Sequence, residues 1–430
     1  MIAAMLRTKS GKLLFFCCLI LSLTQAACIE QSPLPTLVAP ILLPQAQEEA
    51  LAMVVPPTFT PPPPGATIDP RLNFGDNSPM RPTLTPSSTP ILPSRTPTPT
   101  PTPTPSNTPT ETPIPSPAPV GSFPPYLQGN PNRSKLSIHV IFNNDARIMD
   151  FIRQAQPVVI KGVDDFGYLA DVERASPNTI IVARKNEDNQ DYNGNPEEAA
   201  RRFVQSQLRQ YQLNPAVDFW EGWNEPDPGL ERMSWYARFE QERVRELARY
   251  GFRAAIGGFA TGVPEMDEFA LFIPAIETAM QYGGILTLHE YSAPVITYGY
   301  GSALPGYPFY EDRGSLTFRY RWYYEELLIP RGLTIPLVIS EAGIDGVLGN
   351  RPGPPGKGWA DFQSYAMAQG WGSTGVDAFI NQLAWYDAGV RQDNYVLGFT
   401  VFTAGPIAQW GPYDIGPVLP RMTDYIRSQE

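Results

Sequence analysis

The chain has 430 residues and a net charge of −11, from 43 Asp and Glu against 32 Lys and Arg. No Lys/Arg-rich block interrupts this acidic balance, which excludes a nucleic-acid-binding footprint. All three cysteines (Cys17, Cys18, Cys28) lie in the leader and the chain has two histidines, which excludes disulfides, a thiol nucleophile and a His-rich metal site in the folded part.

Residues 1–28 read as an export signal, with Arg7, Lys9 and Lys12 ahead of an apolar core over 13–23 that is short for a membrane span. Thr24-Gln25-Ala26-Ala27-Cys28 then resembles a bacterial lipoprotein lipobox, although Gln25 stands where leucine is usual. That resemblance implies lipidation at Cys28, a membrane as partner through an N-terminal lipid anchor, and an extracellular or cell-surface location in a bacterium. Ordinary cleavage near Ala26 or Ala27, or an uncleaved anchor, are the alternatives. Residues 29–120 are rich in Pro, Thr and Ser, with a Thr-Pro repeat over 95–112. Such a segment has little to bury and favours extended backbone, so it is expected to be a disordered, semi-stiff linker.

Residues 121–430 are expected to form one α/β domain. Eight short apolar runs read as strands, over 136–142, 158–163, 179–184, 219–223, 254–259, 285–291, 337–340 and 396–402. They are almost continuously apolar and rich in β-branched and aromatic residues, as strands buried on both faces of a parallel sheet are. Helical stretches alternate with them, over 146–155, 167–174, 196–211, 234–250, 267–282, 316–328, 376–390 and 418–428. The third opens with Asn195 as N-cap, Pro196 in the first turn and Glu197-Glu198 complementing the helix dipole. Eight alternating units predict a (β/α)8 TIM barrel. A doubly wound sheet is the alternative, but no Gly-rich phosphate loop follows the first strand.

Two glutamates stand where barrel active sites are built, at the C-terminal ends of strands. Glu225 follows Trp223-Asn224 at the end of the fourth run, and Glu341 follows the seventh. Paired carboxylates are the minimum equipment for cleaving a glycosidic bond. Glu221 shares strand parity with Glu225 and is expected to be a buried structural acid. A salt-bridge or helix-capping role is the alternative for both strand-end glutamates.

Asn-Glu-Pro on the fourth of eight strands, with a lone Glu on the seventh, resembles the clan A glycoside hydrolases over residues 130–430. The resemblance implies a retaining glycosidase acting on β-linked glycans, without a cofactor. It implies Glu341 as nucleophile, Glu225 as acid/base, and Asn224 as partner of the sugar 2-hydroxyl. His289 and Tyr291 on the sixth strand would contact substrate, or Tyr291 would orient Glu341. His139 on the first strand and Arg184 at the end of the third could reach the cleft, with a core or rim role as the alternative. Lys161 stands where many clan members carry Arg, which leaves open whether Lys161 or Arg184 tunes Glu341.

Loop aromatics offer stacking faces for sugars, with packing against the barrel as the alternative. They are Tyr298, Tyr300, Tyr307, Phe309 and Tyr310 after the sixth strand, Trp359 after the seventh, and Trp410 and Tyr413 after the eighth. Trp410 is a candidate substitute for the strand-eight tryptophan of many clan members. The expected function is a secreted or surface-anchored retaining glycoside hydrolase with a carbohydrate substrate. The alternative is a non-catalytic cell-surface glycan-binding protein on the same scaffold.

Overall fold

The computed structural model describes residues 133–186, 189–349 and 351–430. The leader, Cys28 and the Pro/Thr-rich linker lie outside the described residues. Among those described, no helix is long and apolar enough to cross a membrane.

Eight parallel strands close into a barrel in sequence order. They are β1 (Leu136–Val140), β2 (Val159–Val163), β3 (Ile180–Arg184), β4 (Phe219–Glu221), β5 (Ala254–Phe259), β6 (Ile285–Ser292), β7 (Leu337–Ile344) and β8 (Val396–Ala404). Helices cover the outside, and the expected TIM barrel is the fold. Side chains alternate along each strand. Leu136, Ile138 and Val140 of β1, like Leu286 and Leu288 of β6, join the core beneath the helices. Val159, Ile180, Val182, Phe219, Ala255, Ile285 and Val338 form a separate apolar cluster. These seven lie toward the strand N-termini and plug the barrel interior. Polar side chains follow them on the same strands, toward the C-terminal end.

Helix starts follow the expected chemistry. Asn195 accepts from the Glu198 amide at 2.8 Å and caps Pro196–Leu213. The helix Gly229–Arg249 carries a buried ion pair of its own, Arg243–Glu240 at 2.7 Å. Arg243 also donates to the carbonyls of Trp220 (3.1 Å) and Ala255 (2.6 Å), so it bridges β4 and β5.

Two of the strand boundaries that differ from expectation bear on the strand-end glutamates. β4 stops at Glu221 instead of continuing to Trp223, and Glu225 stands four residues beyond it. β7 does not end before Glu341 but runs on to Ile344, pairing Ala342, Gly343 and Ile344 with Glu290, Tyr291 and Ser292. The sixth helical stretch is also broken, into a short α turn (Tyr320–Trp322) followed by a π-helical turn (Tyr323–Leu328).

Candidate active site

Register irregularities shape the C-terminal face. β6 advances from Leu288 to His289 while β7 advances from Ile339 to Glu341. β7 also covers Ile339 to Ala342 while β8 covers Phe399 to Val401. One extra residue therefore sits in β7 at Ser340-Glu341. Ile339 and Ala342 both belong to the outer core, so the bulge turns Glu341 inward where strict alternation would turn it out. β5 carries a second bulge, with Gly257 and Gly258 opposite the step Thr287 to Leu288. Both glycines have positive φ, 97° and 61°, conformations that cost an L residue about 1–2 kcal/mol.

The β5 bulge positions the first glutamate. The Gly258 carbonyl accepts the Glu225 amide at 2.9 Å. Glu225 itself has φ of 47°, uncommon for a residue with a Cβ. Trp223, two residues earlier, is stacked on Phe239 at 4.4 Å and anchors the segment beneath the helix. Gln190 donates to the Asn224 carbonyl and holds it from the other side.

Glu341 is buried in a ring of donors. Its Oε1 accepts from Lys161 Nζ (2.9 Å) and Arg184 Nη1 (3.1 Å), and its Oε2 from the Tyr291 hydroxyl (2.9 Å). Both cations therefore act on one oxygen. Burial alone would push this carboxyl up, but His289, Lys161 and Arg184 outweigh it and hold Glu341 well below the usual carboxylate range. Lys161 also pairs with Glu221 at 2.9 Å. Burial opposes the Glu221 charge too, yet Lys161 and Arg184 push its carboxyl down to about 2. Glu221 is thus the buried structural acid expected, and it balances the second cation. Burial pushes His139 well below the ordinary histidine range, so it is neutral at pH 7.

His289 bridges the two glutamates. Its Nδ1 shares a hydrogen bond with Glu225 Oε1 at 2.9 Å, and its Nε2 lies 3.6 Å from Glu341 Oε1. A carboxylate oxygen of Glu225, a ring nitrogen of His289 and a carboxylate oxygen of Glu341 all lie within 4.8 Å of one another. This trio has the donors of a metal site, but Lys161 and Arg184 already bond Glu341 and repel a cation. Glu225 is the more open of the two acids, with 22% of its side chain exposed against 7% for Glu341.

A cleft of about 1480 Å³ opens above both carboxylates. His139, Arg184, Asn224, Tyr291 and Trp410 line it with the two glutamates. His289 lies in the layer beneath. Buried polar atoms here that lack a hydrogen-bond partner among the described residues include Asn224 Oδ1 and His139 Nε2 on the cleft wall and His289 Nε2 beneath it. His139 is held through Nδ1 by the Thr403 hydroxyl at 2.8 Å.

The aromatic expectations divide. Trp410 and Tyr413 line the cleft, as does Phe402, which meets Trp410 edge-on at 5.1 Å. The five aromatics after β6 and Trp359 do not line it. Tyr307 and Tyr310 pack edge-on against Trp322, Tyr300 packs against Trp385, Tyr298 is buried, and Phe309 is exposed. Trp359 stacks on Phe379 at 4.9 Å and donates to the Asp414 carbonyl. Apolar area gains more from burial against the outer helices than from display at the cleft. Asp345, which also lines the cleft, was not among the expected site residues. Its signal was present in the sequence, as an acid in Ile344-Asp345-Gly346 just beyond the apolar run that carries Glu341.

No protein-family profile matches the sequence. No curated protein matches it either. Solved structures resemble it in fold. A family 39 glycoside hydrolase from the gut symbiont Bacteroides cellulosilyticus WH2 is 14% identical with a TM-score of 0.42, over 69% of this chain and 64% of that one. This chain therefore spans less than two thirds of that structure's length. An endo-beta-1,4-mannanase from Thermotoga petrophila is 10% identical with a TM-score of 0.39, over 70% of this chain and 78% of that one. A glycoside hydrolase family 5 enzyme from Prevotella bryantii B14 is 10% identical with a TM-score of 0.37, over 70% and 97%. Likeness at this level fixes neither activity nor substrate, which must be argued from the site itself.

Proposed function

We propose that the protein is a retaining glycoside hydrolase of the clan A type, acting on a β-linked glycan. The observation that carries this reading is the paired carboxylates, with an oxygen of each within 4.8 Å of the other beneath an open cleft. Retaining enzymes hold their carboxyl groups about 5–5.5 Å apart, and inverting ones about 6.5–9.5 Å apart. The unequal surroundings assign the roles. Glu341, buried and ion-paired, stays a carboxylate and attacks the anomeric carbon. Its Oε2 accepts from Tyr291 alone among the described residues and keeps a lone pair for that attack. As the glycosidic C–O bond breaks, the more open Glu225 gives its proton to the leaving oxygen. It then takes a proton from the water that cleaves the glycosyl ester and returns Glu341 to its carboxylate form.

The unpartnered Asn224 and His139 atoms on the cleft wall support a polar ligand in the cleft. Phe402 and Trp410 supply apolar faces beside them. From the leader sequence we further propose export and lipidation at Cys28, with residues 29–120 as tether; Cys28→Ala should release the protein from membranes to the medium.

Sugar release from β-glucans, mannans, xylans, galactans and peptidoglycan tests the reading, with Glu225→Ala and Glu341→Ala alongside. Release by the wild type, a loss of about a hundred- to ten-thousandfold in Glu225→Ala and no turnover in Glu341→Ala are expected. Wild-type-like activity in Glu341→Ala would eliminate the assignment. Tight binding without release would favour a glycan-binding protein.

A further inference from the structure

Asp345 is a third carboxyl in the cleft, with no part in the two-glutamate chemistry. It lies one residue beyond β7. Its backbone is fixed by a hydrogen bond from its amide to the Ser292 carbonyl at 3.1 Å and by a bridge to Gly358. Its Oδ1 accepts from the Tyr413 hydroxyl (2.7 Å) and the Val347 amide (3.0 Å). Its Oδ2 has no donor among the described residues. The side chain is thus a buried carboxylate, oriented through one oxygen, on the wall of a cleft that holds Glu225 and Glu341. Oδ2 is not among the buried atoms left without a partner, so it opens onto the cleft, where water or a bound hydroxyl can donate to it.

Building on the hydrolase reading, we propose that Asp345 is a substrate-positioning residue. Its Oδ2 accepts a hydrogen bond from a hydroxyl of a neutral sugar bound over Glu225 and Glu341, and its charge disfavours an acidic sugar in that place. Asp345 titrates where this matters. Burial pushes its carboxyl up to about 6, and the Glu225 charge adds to the rise. The Val347 amide, the Tyr413 hydroxyl and the Arg351 charge act in the opposite direction. Tyr291 from β6, Glu341 and Lys357, the last exposed on the cleft wall, also face this part of the cleft, and Asp361 acts on the Tyr413 hydroxyl. Protonated Asp345 loses its charge and with it the stronger hydrogen bond. Substrate capture should therefore weaken as pH falls through about 6, while Glu341 remains charged to far lower pH.

The test measures kcat/KM from pH 4 to 8 on the neutral β-linked oligosaccharide the wild type prefers. The same ligand is titrated calorimetrically at pH 5 and 7.5. The wild type should show an acid limb near 6. Asp345→Asn, which keeps the side chain's shape, should lose that limb. It should bind about ten- to a hundredfold more weakly at pH 7.5, the range for a hydrogen bond to a charged group. Tyr413→Phe removes a bond that favours the Asp345 charge, so its limb should move to higher pH. A merely structural role would lower activity in both variants without moving the limb. An unmoved limb, or Asp345→Asn binding as tightly as the wild type, overturns the proposal. Ligand bound but not cleaved by the wild type would remove the hydrolase reading alone, because the calorimetric comparison still decides the role of Asp345. Neither binding nor cleavage of any neutral glycan would overturn both.

Discussion

At the residue scale the central device is His289, which touches both acids. It bonds Glu225 at 2.9 Å and stands 3.6 Å from Glu341. The Gly258 carbonyl fixes the Glu225 backbone, but its side chain has no other hydrogen-bond partner among the described residues. His289→Ala should therefore lower kcat by about a hundredfold while KM changes little, because misplacing a reacting group by an ångström costs that much. Steady-state kinetics on a cleaved β-glycoside would check this; an unchanged kcat would show that Glu225 is oriented by its backbone alone. Lys161 and Arg184 divide the remaining work by sharing Glu341 Oε1. The sequence posed them as alternatives because spacing shows which strand a cation stands on, not how far its side chain reaches.

At the element scale the site depends on departures from regular strands. The apolar runs and their helical partners were legible because buried parallel strands and capped helices each have a strong pattern. The β7 bulge was not, because an extra residue leaves no mark in a run that is apolar on both faces. For the same reason the polar Glu341-Ala342-Gly343 looked like the end of a strand that in fact continues to Ile344. The β6 loop aromatics were ambiguous in sequence, since sugar platforms and packing residues share one composition. Gly258→Ala should cost about 1–2 kcal/mol in thermal unfolding, because φ of 61° is strained for alanine. It should also lower kcat, since the Gly258 carbonyl holds Glu225. Arg243→Ala should destabilise by about 3–5 kcal/mol, because it leaves Glu240 buried and unpaired and frees two strand carbonyls. Chemical denaturation would measure it, and a loss under about 1 kcal/mol would show that the ion pair contributes little beyond its own desolvation.

At the scale of the whole molecule, buried acids of opposite character set the response to pH. Glu221, pushed down to about 2, contributes stability that is full above its ordinary value of 4.5 and is lost as pH falls toward 2. Glu290 and Asp345, pushed up to about 7 and 6, act the other way. Their contributions are full below their ordinary values and are lost as pH rises through 6 and 7. His139, held neutral by burial, adds stability that is full above its ordinary value of 6.5 and is lost as pH falls, so thermal unfolding from pH 3 to 8 should show a broad maximum between about pH 4.5 and 6.5. A melting temperature that rises steadily to pH 8 would contradict this balance.

The central claim is that Glu341 forms a covalent glycosyl ester and Glu225 serves first as acid and then as base. The stereochemistry of the product tests it most directly. Proton NMR of a β-linked oligosaccharide during the first minutes of hydrolysis should show the β-anomer of the new reducing end appearing first, with the α-anomer growing in by mutarotation. An α-anomer formed first would place water, not Glu341, at the anomeric carbon and would contradict the account.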